Sequence, residues 1–108
     1  MSILEKDKVD GIALKNNDTI VLMISDHLDW SDEYAHLVML QEKINAYIGF
    51  CESEQYTQIY TDFKAENFVF EIHFLHKITD KAYDFLNQVQ NQLSETVFSI
   101  EYNISADN

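Results

Sequence analysis

The chain reads as a single α+β domain, a four-stranded sheet with two helices packed on one face in the order β-β-α-β-α-β. Three observations predict it. Apolar residues alternate with period two in four short stretches, they recur with period 3.6 in two longer ones, and 108 residues leave room for only one core.

Residues 1–10 are polar apart from Ile3, Leu4 and Val9 and are expected to be loosely held. In 11–15, Ile12 and Leu14 alternate with Ala13 and Lys15. Asn16-Asn17-Asp18 then supplies residues tolerant of left-handed backbone, and 19–25 resumes with Ile20, Leu22 and Ile24 on one face. These two stretches form a hairpin. A first helix is expected from Asp29 or Ser31, both good N-caps, to about Cys51, with Asp32 and Glu33 favoured at the positive end of its dipole. Leu37, Leu40, Ile44, Tyr47, Ile48 and Cys51 share one side of it and should cover the sheet. Ala35, Met39, Ala46 and Phe50 form a narrower second stripe.

The acidic stretch 52–65 carries Tyr56, Ile59, Tyr60 and Phe63 at spacings that allow a short helix. Residues 68–76 are the clearest strand, with Phe68, Phe70, Ile72 and Phe74 on one side and Val69, Glu71, His73 and Leu75 on the other. Thr79 or Asp80 caps a second helix whose core stripe is Ala82, Phe85, Leu86, Val89 and Leu93. The final strand, 97–104, turns Phe98, Ile100, Tyr102 and Ile104 inward. Strand order is left open by these patterns.

Nineteen acidic residues against seven basic ones, all Lys, give a net charge of −12. Such a field repels phosphate backbones and anionic lipid, and without Arg the bidentate reader of phosphate or guanine is missing. Neither nucleic acid nor membrane is an expected partner. The charge favours solubility, attraction of cations and fast encounter with a basic protein partner, and solubility is the plainer account of it.

With Cys51 as the only cysteine, disulfides within the chain and all-cysteine zinc sites are excluded, and a reducing, cytoplasmic compartment fits. No apolar run suits a signal peptide or a membrane span. Two glycines 38 positions apart (11 and 49) cannot build a phosphate-binding loop, so no cofactor is expected.

Ile24-Ser25-Asp26-His27-Leu28-Asp29-Trp30, followed by Leu40-Gln41-Glu42-Lys43, resembles a family of small uncharacterised bacterial proteins with a Ser-Asp-His-Leu-Asp-Trp strand-to-helix junction. The resemblance covers nearly the whole chain and implies the same strand-helix-strand continuation. It brings no activity and no catalytic residue.

Of the chemistry-bearing residues, Asp26, His27, Asp29, Glu33 and His36 are the candidate divalent-cation set; helix capping is the plainer account of the acids. Glu71 and His73 share a strand face and could act as an acid/base pair or simply a cross-strand contact. Trp30 is expected to staple the helix entrance.

The leading functional reading is a protein-interaction module, with Ala35, Met39, Ala46 and Phe50 as its contact residues. Their cover would be a second subunit, giving a homodimer, or Tyr56, Ile59, Tyr60 and Phe63 folded back. An acidic inhibitor of a basic toxin or nuclease is the sharper form of this reading. A small ligand-binding domain or enzyme built on the Asp26/His27/Asp29 region is the alternative.

Overall fold

The computed structural model describes residues 3–5 and 8–105. Over them the chain forms β1 (Gly11–Lys15), β2 (Thr19–Asp26), α1 (Glu33–Glu52), β3 (Asn67–Phe74), α2 (Asp80–Leu93) and β4 (Phe98–Ile104). The expected α+β order is present. The four strands lie in sequence order across one sheet, with β1 antiparallel to β2 and with β2, β3 and β4 parallel. Asn16 takes the left-handed conformation, φ 58°, that closes the hairpin. Each parallel pair needs a crossover, and the two crossovers step the same way across the sheet. Right-handed crossovers therefore place both helices on the same face.

That face is the core. Ile20, Leu22 and Ile24 of β2 and Phe68, Phe70, Ile72 and Phe74 of β3 are buried beneath Leu40, Ile44, Tyr47 and Cys51 of α1 and Ala82 and Leu86 of α2. Burying each large apolar side chain contributes about 1.5–3 kcal/mol. The stripe of α1 sits slightly rotated from the expected one. Leu37 and Ile48 are only half-buried, while His36 and Lys43 join the buried side.

Several boundaries differ from the sequence reading. The N-cap of α1 is Asp32, whose Oδ1 accepts from Ala35 N–H at 3.2 Å. Asp29 instead closes a local turn, accepting from the N–H and Oγ of Ser31 at 3.1 and 2.7 Å. The strand β3 ends at Phe74, leaving Leu75 and His76 in the connection, and β4 starts at Phe98 with Val97 outside it. For α2 the cap is Thr79, its Oγ1 accepting from Ala82 N–H at 3.1 Å.

In the acidic stretch only one 3-10 turn forms, Gln55–Gln58. Non-glycine residues with left-handed backbone, Glu54 at φ 60° and Asp62 at φ 65°, bracket it and prevent a longer helix. Its Tyr56 is buried edge-on to Phe68, with ring centroids 5.5 Å apart.

Of the stretch 1–10 expected to be loosely held, residues 1, 2, 6 and 7 lie outside the described residues, and the others make definite contacts. Ile3 is buried and its N–H donates to Ser25 O at 3.0 Å. The fully buried Lys43 Nζ donates to Glu5 O and Lys8 O, both at 2.8 Å, and pairs with Asp10 Oδ1 at 3.0 Å. Asp10 Oδ2 accepts from Ser25 N–H, and Asp10 N–H donates to Tyr47 Oη, which itself donates to Met23 O. One ammonium thus ties the segment to α1 and β2 by replacing its lost hydration with oxygen partners.

Candidate functional site

Of the five residues in the candidate cation set, the fold joins two. Asp26 ends β2 and His36 opens the buried side of α1, so the short connection between them brings both side chains beneath the surface. His36 Nε2 lies 2.6 and 2.8 Å from the Asp26 carboxylate oxygens, and both side chains are almost wholly buried. His36 Nδ1 faces the Asp29 carbonyl at 3.0 Å, so that nitrogen must carry a proton and donate.

The Nε2 contact then holds one further proton between ring and carboxylate. Asp26 Oδ1 also accepts from Leu28 N–H at 3.2 Å. Trp30 stacks on the imidazole at 3.6 Å between centroids, closing the helix entrance as expected, although among the described residues nothing pairs with its buried indole Nε1.

His27 and the Asp29 side chain are exposed, and the Asp29 carboxyl is held below its usual range by the Ser31 hydroxyl and N–H. Glu33 is half-buried at the start of α1. Among the described residues no group of three or more His, Cys, Asp or Glu is placed to hold a metal ion. With both ring nitrogens of His36 occupied by protein, this junction acts as a polar lock between β2 and α1.

The second stripe of α1 is half-buried at Ala35, Met39, Ala46 and Phe50. Met39 and Phe50 pack against the chain's own core, and Ala46 and Phe50 line a hollow shared with Lys8, Val9 and Gln55. Some of the cover that the sequence reading assigned to a second subunit or to 56–63 therefore comes from the N-terminal segment. Tyr60 points elsewhere, its hydroxyl reaching Ile12 O on β1 at 3.4 Å. Cys51 is buried, and burial first, then the neighbouring Glu52 charge, pushes its thiol up to about 12. A groove of about 260 Å³ separates α1 from α2, with an apolar floor and the carboxamides Gln41, Asn45, Gln88 and Gln92 at its rim.

The second surface of note is the sheet face away from the helices. No described element packs over it. Its register sets Ala13, Val21, Val69 and Ser99 in one row across the strands, and Gly11, Met23, Glu71 and Glu101 in the next. Val21, Met23 and Val69 are half-buried, with Met23 folded over Gly11, where a Cβ would meet its sulfur at 3.3 Å.

Glu71 and Glu101 are register partners on neighbouring strands, an arrangement that costs free energy when both are charged. His73 sits beside them, its Nε2 2.7 Å from Glu71 Oε1 and its Nδ1 3.1 Å from Asn103 Oδ1. The expected Glu71–His73 contact is thus present. Its hydrogen bonds run along the outer face, from Glu71 on the same strand to Asn103 on β4.

The alternation of β3 could have identified this face from sequence; what it could not supply was the neighbours, because the Glu71–Glu101 pairing depends on strand order. Comparison with known proteins gives a family match over residues 1–106, to a family of unknown function (DUF6572). No curated protein and no solved structure matches the chain.

Proposed function

The chain belongs to this family of unknown function, DUF6572, and we propose from its own geometry that it is an acidic protein-interaction module whose outer sheet face docks a basic protein. The observation that carries the reading is the uncovered face itself. Sheets of parallel strands are ordinarily covered on both sides, because their crossovers leave apolar residues on each. Here three strands run parallel, one side has its helices, and the other leaves Val21, Met23 and Val69 only half-buried.

The side-by-side Glu71 and Glu101 select the occupant. A lysine or arginine placed between them relieves a repulsion that the free protein carries, and the net charge of −12 steers such a partner toward the molecule. A second copy of the chain laid on this face would bring the same acids together. The reading includes a cytoplasmic location, which suits a single unpaired cysteine, and inhibition of a basic toxin or nuclease as its most specific form.

The experiment is affinity capture from the producing organism at low salt. It compares the native chain, a Glu71→Lys/Glu101→Lys variant and an Asp84→Lys/Glu95→Lys variant that changes the overall charge equally on other exposed positions. The native chain and the second variant should retain the same basic protein and the sheet variant should lose it. Equal loss from both variants, or no basic protein on the native chain, contradicts the proposal.

A further inference from the structure

Strand β4 forms one edge of the sheet, and two backbone contacts fix which way its groups point. Phe68 N–H donates to Val97 O at 2.8 Å, and Ser105 N–H donates to Phe74 O at 2.9 Å. With Phe68 opposite Phe98 and Phe74 opposite Ile104, parallel geometry turns the N–H and C=O of Ser99, Glu101 and Asn103 toward β3. Those of Phe98, Ile100, Tyr102 and Ile104 point away.

The outward groups are not all alike. Phe98 N–H donates to Thr96 Oγ1 at 3.1 Å, and Ile100 O accepts from the Gln90 side chain at 2.8 Å, so the first half of the edge is occupied. Among the described residues nothing pairs with the N–H of Ile100 or with either backbone group of Tyr102 and Ile104. The opposite edge differs, because β1 is short and Tyr60 reaches its Ile12 carbonyl. An open run of backbone donors and acceptors is a template for another strand.

We infer that the second half of β4 pairs with the β4 of a second copy, antiparallel about a two-fold axis at Tyr102, to make one continuous sheet. The register argues for this occupant. Centring on Tyr102 pairs it with its own mate and sets Ile100 against the partner's Ile104, so the Ile100 N–H meets an open carbonyl, while the Ile104 N–H comes to the partner's Ile100 carbonyl and shares it with Gln90. On the outer face Glu101 then stands beside the partner's Asn103, and no acid meets an acid.

Centring on Glu101 would set that carboxylate against its own copy. The flank fits as well. Ile104 is 36% exposed, and Tyr83, on the same side of α2 as Gln90, is 50% exposed, so pairing would cover apolar surface that the monomer leaves wet. The pairing is independent of what docks on the outer face, and it would double the width of that face.

The test is light scattering together with residue-resolved amide hydrogen exchange on the intact chain. A dimer is expected at sub-millimolar concentration, with the Tyr102 and Ile104 amides exchanging slowly and speeding up on dilution. Ile104→Pro removes an N–H that faces away from β3, so it should fold yet be monomeric. Its thermal unfolding at high dilution checks the fold, and if it does not fold, exchange on the native chain decides alone. A native monomer, a dimer whose Tyr102 and Ile104 amides exchange freely, or a folded Ile104→Pro dimer would each overturn the inference.

Discussion

At the scale of single residues, the side chains that organise the molecule are polar ones in apolar surroundings. Lys43 is wholly buried; its ammonium donates to backbone and carboxylate oxygens brought from the N-terminal segment and lies 5.4 Å from the centre of the Tyr47 ring. Lys43→Met keeps the volume but leaves the Asp10 carboxylate and two carbonyls without their donor. It should destabilise the fold by about 3–5 kcal/mol, read as a lower urea midpoint.

The cysteine gives a second prediction. With its thiol pushed up to about 12 from an ordinary 9.0, Cys51 is a neutral, covered sulfur at pH 7. Maleimide should label it only when the chain is unfolded. The Tyr47 hydroxyl is also raised from its ordinary 10.0, by burial above all; the bond from Asp10 N–H works against the rise and the Asp10 charge adds a smaller push in its favour. Both groups are neutral in the fold and ionise more readily in the unfolded chain. Their contribution to stability is therefore whole below pH 9, and from there upward it is lost as pH approaches 12. Thermal unfolding at stepwise alkaline pH should show that decline.

These roles were hard to read in advance for a definite reason. The apolar residues of α1 pointed to a stripe including Leu37 and Ile48, whereas the buried centre runs through His36, Leu40, Lys43, Tyr47 and Cys51. Spacing alone places His36 and Lys43 there. Their chemistry argued for solvent, and only the oxygen partners, distant in sequence, reverse it.

Among the elements, those whose identity depends on local pattern were legible. The alternation of Phe68, Phe70, Ile72 and Phe74 predicts a strand buried on one side, and each of the four is buried. Thr79 as the cap of α2 is equally local. Thr79→Ala should cost about 1 kcal/mol by removing the acceptor of the Ala82 N–H, measurable by urea unfolding.

Asp32, rather than Asp29 or Ser31, caps α1 because Asp29 and Ser31 bond each other first. Three good capping residues within four positions compete, and sequence does not rank them. The stretch 52–65 misleads in the opposite direction. Its aromatic spacing suits a helix, yet Tyr56 is drawn to Phe68, and the chain reverses through left-handed Glu54 and Asp62.

Across the whole molecule, the layer arrangement was legible and the sheet order was not. Element order with one apolar face per helix is enough to predict two layers, but which strands are neighbours depends on the direction of each crossover. That missing order hides the candidate site. Glu71 and Glu101 become adjacent only once β3 and β4 are parallel neighbours in this register.

The same order leaves Val21, Met23 and Val69 half-buried at the centre of the outer face, with Glu71 and Glu101 beside them. A partner bound there should touch residues of alternate parity on all four strands and none of the helices. Chemical-shift mapping of the isotopically labelled chain with its captured basic protein tests this most directly. Shifts should concentrate at Ala13, Val21, Val69, Glu71, Ser99 and Glu101, whereas shifts confined to the groove between α1 and α2, or to Ala35, Met39, Ala46 and Phe50, would contradict it.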